Sequence, residues 1–274
     1  MNKILFAFAS LLLALPAAAQ KNEGGVWSEI SVEKDFSKRF STEISLGQRQ
    51  EDNLNRATRW DAGLGVTYKV SSNFRIGAGY VYLHDNSAEE ATPRYTAAGA
   101  ISGYNVDAPF WRDKHRFYLD LVLRHRFNKR WSVHFRERFQ HTRNMAATTT
   151  EYKYRSVATE GYTGEVFTYD GTDFMRLTSE EDHKSAKTRR YVRHRVGVDY
   201  NIKGLPLEPY ATYEMANNVG NGLSVVRHRA TLGTKWKLTK QHILSFGYLY
   251  QRGEMDNGER GNLHILNLGY KFKF

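Results

Sequence analysis

The last twelve residues of the chain, 263–274, constrain its fold more than any other stretch, because their side chains alternate strictly in character. One set consists of His264, Leu266, Leu268, Tyr270, Phe272 and Phe274, and the other of Ile265, Asn267, Gly269, Lys271 and Lys273. Alternation over this length, with aromatic residues towards one end, is typical of a tilted transmembrane β-strand. An edge strand of a soluble β-sandwich would show the same pattern, so other parts of the chain must decide between the two.

The N-terminus has the features of a secretory signal peptide. A short basic start containing Lys3 precedes an apolar run over residues 4–16, and Ala17, Ala18 and Ala19 form a small-residue cleavage site. We expect cleavage after Ala19, so that residues 1–19 are the signal peptide and residues 20–274 form a single mature domain. The sequence contains no cysteine, which excludes a disulfide scaffold and a lipid-anchored lipoprotein.

Composition agrees with a membrane β-barrel once alternation is taken into account. The mean hydropathy of −0.62 is too polar for a helical membrane protein, but a barrel strand shows an apolar side chain to lipid only at every second position. The 17 Tyr, 15 Phe and 5 Trp supply the rings that barrels place at the two membrane interfaces. The formal net charge of +11 does not indicate nucleic-acid binding, because the chain is expected to be secreted and its charges alternate.

Short polar turns recur between the alternating runs. Residues 36–40 (FSKRF) and 127–131 (FNKRW) are nearly the same turn, residues 70–74 and 238–242 are variants of it, and residues 202–207 form a longer one. Short turns at one end and long loops at the other are typical of outer-membrane barrels, with the short turns on the periplasmic side. The sequence therefore predicts an all-β fold, an antiparallel transmembrane barrel of about 10–12 strands with two long extracellular loops.

Eleven runs are predicted as strands, and this odd count needs an explanation, because single-chain bacterial barrels normally have an even number. Either one strand is missed within a long loop or a long run, or the first strand starts from the outer side, with the N-terminus threaded through the lumen. The predicted strands cover residues 26–34, 39–50, 58–70, 74–84, 114–127, 131–141, 190–202, 207–215, 225–238, 241–252 and 262–274.

The polar face of these strands is rich in arginine and predicts a narrow lumen filled by a charged network. If the short turns set the register, Asp120 lies opposite Arg138, and Arg195 lies opposite Glu214. Inward glycines leave room for the long charged side chains, and the surplus of arginine would favour anions if a path stays open. The predicted lumenal network comprises Asp120, Arg138, Arg195, Glu214, Arg124, Arg136, Arg227 and Arg229.

The predicted strands carry no motif for catalysis, a metal site or a cofactor. The tripeptides at residues 114–116, 124–126, 193–195 and 227–229 place His between two basic residues, but alternation turns each His outwards, away from its neighbours. His134, His141 and His242 do not begin the His-x-Ser element of lipase-type barrels, and neither a Gly-x-Ser-x-Gly nor a His-Glu-x-x-His motif is present. We therefore expect no enzymatic activity, no cofactor and no metal.

Two long segments, residues 85–113 and 142–188, are predicted as the extracellular loops. Loops of this length are usually functional or disordered. The second segment carries Tyr152, Tyr154, Tyr162, Phe167, Tyr169 and Phe174, and its spacing suggests a hairpin extending above the membrane. We interpret the segments as a structural rim or lid, or as a site where exposed rings bind an unknown ligand.

Several short motifs resemble a family of outer-membrane proteins classed as domain of unknown function 2490. They are the start at residues 27–34 (WSEISVEK), the Lys-Arg hairpin turn, and the strand at residues 114–121 (KHRFYLDL). The end of the chain, with Tyr270, Phe272 and Phe274, also resembles the C-terminal signal by which bacterial outer-membrane barrels are recognised for insertion. The resemblance implies a barrel in the outer membrane whose partners are membrane lipid and, through the C-terminal strand, the barrel-assembly machinery. It implies no activity and no catalytic residue.

The function expected from the sequence is a narrow passage, or a surface-exposed structural or binding barrel. The alternatives are a barrel enzyme that acts on outer-leaflet lipid and a soluble periplasmic β-protein.

Overall fold

A closed β-barrel forms the body of the molecule in the computed structural model, which describes residues 22–156, 164–254 and 260–274. The expected signal peptide, residues 1–19, lies outside these residues. Within the described chain, no helix is long and apolar enough to cross a bilayer. The all-β barrel predicted from the sequence is confirmed.

Sixteen strands and one short 3-10 helix, Val219–Asn221, make up the regular structure of the described residues. In chain order the strands are β1 (Asn22–Asp35), β2 (Phe40–Glu51), β3 (Arg56–Lys69), β4 (Phe74–Ser87), β5 (Glu90–Tyr95), β6 (Ile101–Asp107), β7 (Phe110–Arg126), β8 (Trp131–Asn144), β9 (Ala147–Arg155), β10 (Val166–Tyr169), β11 (Thr172–Lys184), β12 (Lys187–Tyr200), β13 (Leu207–Asn218), β14 (Ser224–Lys237), β15 (His242–Glu254) and β16 (Arg260–Lys273).

Eleven of these strands close the barrel in the order β1-β16-β15-β14-β13-β12-β8-β7-β4-β3-β2. Each of the eleven runs predicted as strands overlaps one of them. Ten of the neighbouring pairs are antiparallel, whereas β1 and β16 are parallel and pair from Asn22 with Asn262 to Glu33 with Lys273. The fully antiparallel expectation is therefore wrong at this seam. In a barrel of hairpins with an odd number of strands, the first and last strands run in the same direction.

This seam shows where the first strand begins. Asn22 lies at the end of the barrel that carries the long loops, and β1 runs from there towards the short turns. The path of the preceding residues, which the threading hypothesis concerned, lies outside the described chain.

Each of four short turns contains one side chain whose oxygen accepts hydrogen bonds from two backbone N–H groups of the same turn. Ser37 Oγ accepts hydrogen bonds from the backbone N–H groups of Arg39 and Phe40. The side-chain oxygens of Ser71, Asn128 and Thr239 likewise each accept from the backbone N–H groups of the second and third residues that follow them. Short polar side chains favour turns because they satisfy backbone donors that the strands cannot reach. These turns therefore join consecutive strands as tight hairpins at one end of the barrel.

Alternation decides which side chains face outwards. Leu64 and Val66 on β3 and Phe117 and Leu119 on β7 lie on the outer surface, and Leu64 and Phe117 are 52% and 54% exposed. Polar side chains such as Arg59 and Gln251 point inwards and are buried. An apolar outer surface around a polar interior is the arrangement of a transmembrane barrel.

The two long segments form one sheet above the barrel. Strands β5 and β6 come from the first segment, β9, β10 and β11 come from the second, and the order is β10-β11-β9-β6-β5. Tyr104, Val106, Tyr154 and Phe174 form its buried core. The alternative interpretation, in which exposed rings of these segments bind a ligand, is therefore wrong for Tyr154 and Phe174, which are buried in this core together with Tyr104. Tyr169 remains half exposed, and Tyr162 lies outside the described residues.

Candidate functional site in the barrel lumen

Glu214 on β13 is the centre of the charged network inside the barrel. Its side chain is 2% exposed. Arg193 Nε and Arg195 Nε lie 2.9 Å and 2.8 Å from its two carboxylate oxygens. Arg136 Nη2 donates to the same carboxylate at 2.9 Å, and Arg229 Nη1 lies 3.9 Å away. One buried carboxylate thus faces four guanidinium groups, which leaves a local excess of positive charge.

Asp120 and Arg138 form a second pair beside this cluster. They lie opposite each other on β7 and β8, and Arg138 donates from Nε and Nη2 at 2.6 Å and 2.7 Å. The guanidinium also lies 4.0 Å from the ring centroid of Tyr118, a cation–π contact. Tyr118 in turn lies against Gly65 and Gly79, where a larger residue would meet its ring. The inward glycines therefore make room for aromatic rings as well as for charged side chains.

Asp199 on β12 binds several partners nearer the short turns. Arg124 Nη2 and Lys235 Nζ lie 3.0 Å and 2.9 Å from its oxygens, and His134 Nδ1 lies 3.3 Å away. Lys235 also donates to Glu208 at 3.0 Å. This cluster lies on the short-turn side of Glu214.

A fourth acidic centre, Asp85, lies near the long loops. Arg59 donates to both of its oxygens at 2.5 Å and 2.6 Å, and Lys114 Nζ lies 2.6 Å away. The sequence interpretation assigned Asp85 to a loop and missed this cluster. Strand β4 in fact continues to Ser87. The two-residue period of the strand places Asp85 on the same inward face as Leu83, and this period was the signal that could have placed Asp85 inside.

Trp27 on β1 adds an aromatic surface to the lumen that the sequence interpretation also missed. Its ring lies 3.9 Å from the guanidinium carbon of Arg49 and 5.1 Å from that of Arg229. Its indole N–H donates to Glu51 at 2.8 Å. The ring also packs against the small inward cluster of Leu249, Leu263 and Ile265.

Two cavities lie between these clusters. The larger has a volume of about 400 Å³ and is lined by eight arginines and three carboxylates. The smaller, about 170 Å³, lies at the short-turn end between Arg124, Lys129, Asp199 and Glu208. The residues that charge the larger cavity are Arg49, Arg59, Arg116, Arg138, Arg193, Arg195, Arg227, Arg229, Glu29, Glu43 and Asp61.

The structure distributes the eight residues of the predicted lumenal network over four places. Arg195, Glu214, Arg136 and Arg229 meet in one cluster, and Asp120 binds Arg138 beside it. Arg124 belongs instead to the Asp199 cluster, and Arg227 lines the larger cavity.

The residues of the predicted insertion signal lie at the short-turn end of β16. Tyr270 and Phe272 face outwards, and the hydroxyl of Tyr270 is hydrogen-bonded to His242 Nδ1 at 2.7 Å. The ring of Phe274 stacks on Phe272 with 5.5 Å between centroids and is half exposed.

Three carboxylates converge in the loop sheet. Oxygens of Asp107, Glu151 and Asp182 lie within 4.8 Å of one another, a spacing that suits a metal ion. Lys184 Nζ is bonded to Asp107 and to Asp182, the latter at 2.7 Å. Burial lowers the pKa of Lys184, but these carboxylates outweigh it and raise the pKa above its ordinary value. The lysine ammonium thus neutralises part of the acidic charge itself.

The chain is similar to a sequence family and to distant barrel structures. No curated protein matches the chain. Among solved structures, the NanC porin is 11% identical, covers 92% of this chain and 98% of its own, and superposes with a TM-score of 0.46. The beta domain of the Bordetella autotransporter BrkA is 13% identical, with coverages of 85% and 81% and a TM-score of 0.43. The Pseudomonas putida toluene transporter TodX is 13% identical, with coverages of 79% and 61% and a TM-score of 0.35.

A family model matches residues 24–262, which span the barrel from β1 into β16 together with the loop sheet. On this match the chain belongs to DUF2490, a family of proteins of unknown function.

Proposed function

We propose that this protein spans the outer membrane and provides a narrow passage for small anionic solutes. The observation that supports this is the cavity of about 400 Å³ inside the barrel, lined by eight arginines and only three carboxylates. Fixed positive charge along a confined path attracts anions and repels cations, because the low-dielectric walls concentrate the field.

The outer surface of the barrel supports the membrane location. Leu64, Phe117 and Leu123 are each more than half exposed on it. In a soluble periplasmic protein such rows of large apolar side chains would face water, whereas in a bilayer they face lipid. The short turns then lie on the periplasmic side and the loop sheet on the outer side, as in other outer-membrane barrels.

Two buried guanidinium donors support anion binding within the lumen. Among the described residues, Arg124 Nε and Arg136 Nε have no hydrogen-bond partner. A buried donor without a partner costs free energy, about 1–3 kcal/mol, which an anion or an ordered water at these positions would recover. Arg136 belongs to the Glu214 cluster and Arg124 to the Asp199 cluster, so the two donors mark successive positions along the lumen.

The decisive experiment is single-channel recording of the refolded mature protein in a planar bilayer with a salt gradient. The reversal potential gives the ratio of chloride to potassium permeability, which we expect to favour chloride. Arg116→Gln and Arg195→Gln remove charge from the cavity lining and should reduce that preference. Lys203→Gln is the control, because it removes the same charge from an exposed turn outside the lumen. Protein that is folded but silent, or that prefers cations, would contradict the proposal.

A further inference from the structure

A hydrogen-bonded pair of ionisable residues lies on the outer, lipid-facing surface of the barrel. Glu137 on β8 and His194 on β12 face each other across the strand pair, and His194 Nδ1 lies 2.7 Å from Glu137 Oε2. Their side chains are 19% and 37% exposed. Alternation places both on the outer face, because Arg136, Arg138, Arg193 and Arg195 beside them point into the lumen.

The outward neighbours of this pair along its own strands, and the residues directly opposite it, are apolar. Phe135 and Phe139 flank Glu137 on β8, and Val192 and Val196 flank His194 on β12. The register adds Leu121 opposite Glu137 and Met215 opposite His194. The pair therefore lies within the apolar band, midway along both strands.

Other outward histidines have different surroundings. His115, His228 and His264 are bonded to the hydroxyls of Tyr80, Tyr213 and Tyr248, which are neutral partners. His84 is bonded to a carboxylate, that of Asp113, but this pair lies close to the long loops. Glu137 and His194 instead place a carboxylate and an imidazole at mid-strand.

Contact of such a pair with lipid costs free energy. Ionisable groups inside a bilayer are rare and normally face protein or water, because lipid can neither solvate them nor bond to them. The bond within the pair uses His194 Nδ1 and Glu137 Oε2, so that Nε2 and Oε1 take no part in it. In the net-neutral form of the pair, one proton lies between Nδ1 and Oε2 and a second is on Nε2. The surface then offers one donor and one acceptor side by side, which makes it complementary to a copy of itself.

We infer that the sector formed by β8 and β12 is the contact surface of a homodimer related by a two-fold axis along the membrane normal. A two-fold contact brings the same patch of each subunit together. His194 Nε2–H of each copy then donates to Glu137 Oε1 of the other copy, which gives two equivalent hydrogen bonds across the contact. The surrounding Phe, Val, Leu and Met side chains pack against their equivalents. This inference does not depend on whether the lumen conducts.

Cross-linking in the membrane tests the contact directly, since the chain has no cysteine of its own. Val192 lies beside His194, so Val192→Cys places a reactive thiol within the proposed contact. Leu64→Cys, on the outer face of β3, is the control because Leu64 lies away from this sector. A short bismaleimide should join Val192→Cys chains into dimers at low protein-to-lipid ratios and leave Leu64→Cys chains monomeric. Dimers from both variants alike, or from neither, would overturn the inference, and so would a product containing a different protein.

Complementation distinguishes the bridging bonds from a merely structural role of the pair. Glu137→Leu and His194→Leu should each weaken dimerisation at least tenfold, as measured by energy transfer between labelled chains in vesicles. Mixing the two variants should restore part of it, because one chain keeps Glu137 and the other keeps His194. Heat-modified gel mobility verifies that each barrel is folded. An unchanged dimer in the single variants, or no recovery in the mixture, would contradict the proposed contact.

Discussion

Asp120 and Arg138 lie directly opposite each other on β7 and β8, joined by two hydrogen bonds of 2.6 Å and 2.7 Å inside the barrel. Their side chains are only 13% and 18% exposed, so water screens the pair weakly. The lumen is therefore a place where paired charges determine stability, and each cluster within it can be tested separately.

Replacing Asp120 and Arg138 by alanine, singly and together, should reveal strong coupling between them. We expect each single variant to lower the free energy of unfolding, and the double variant to lower it by less than the sum, with a coupling energy of about 0.5–3 kcal/mol. Urea unfolding of the barrel in lipid vesicles, followed by tryptophan fluorescence, measures this. Strictly additive effects would show that the pair contributes nothing beyond its separate parts.

Glu214→Gln should be the most destabilising single change in the lumen. It removes the negative charge that balances Arg193, Arg195 and Arg136 while preserving the side-chain shape. Removing one partner of a buried ion pair typically costs about 3–5 kcal/mol, because the remaining charges stay buried. The same urea titration provides the measurement, with Glu181→Gln, in the exposed part of the loop sheet, as the control. A loss no larger than that of the control would refute the central role of Glu214.

Gly79→Ala and Gly77→Ala should differ sharply, although both lie on the inward face of β4. A Cβ at Gly79 would overlap the ring of Tyr118, whereas at Gly77 the nearest atom is Asp120 Cβ at 3.5 Å, an ordinary contact. We expect Gly79→Ala to lower the free energy of unfolding by about 1–3 kcal/mol through overpacking, and Gly77→Ala to leave it nearly unchanged. Adding Tyr118→Ala to Gly79→Ala should relieve the overlap. Equal effects of the two alanines would show that Tyr118 moves aside freely.

Tyr154 in the loop sheet should titrate at unusually high pH. Burial, together with its hydrogen bond to Glu165 at 2.9 Å, raises the pKa of Tyr154 to about 12. Between pH 10 and 12 the unfolded chain loses this proton while the folded sheet retains it. The contribution of Tyr154 to stability is therefore complete below pH 10 and declines as the pH rises through this window.

Absorbance at 295 nm, compared between the natural protein and Tyr154→Phe, isolates this phenol from the other tyrosines. The difference should titrate near pH 12, whereas a difference that titrates near pH 10 would show that the ring is in contact with water.

Local sequence pattern accounts for the parts of the fold that depend on neighbouring residues. Alternation sorts side chains into outer and inner sets, because the side-chain period of a strand is two. The turn at residues 127–130 joins β7 to β8 with so few residues that it also sets their register, which places Asp120 opposite Arg138. The same reasoning across residues 201–206 places Arg195 opposite Glu214.

Tertiary structure alone decided the contacts between strands that no short turn joins. Arg136 on β8 reaches Glu214 on β13 only because β12 lies between these two strands and pairs with both. An insertion of more than forty residues separates β8 from β12 in the sequence. The parallel seam of β1 with β16 and the pairing of β6 with β9 likewise join distant segments. A short turn specifies register locally. Closure of the barrel depends instead on the number, tilt and stagger of all its strands together. No single stretch of sequence determines these three quantities.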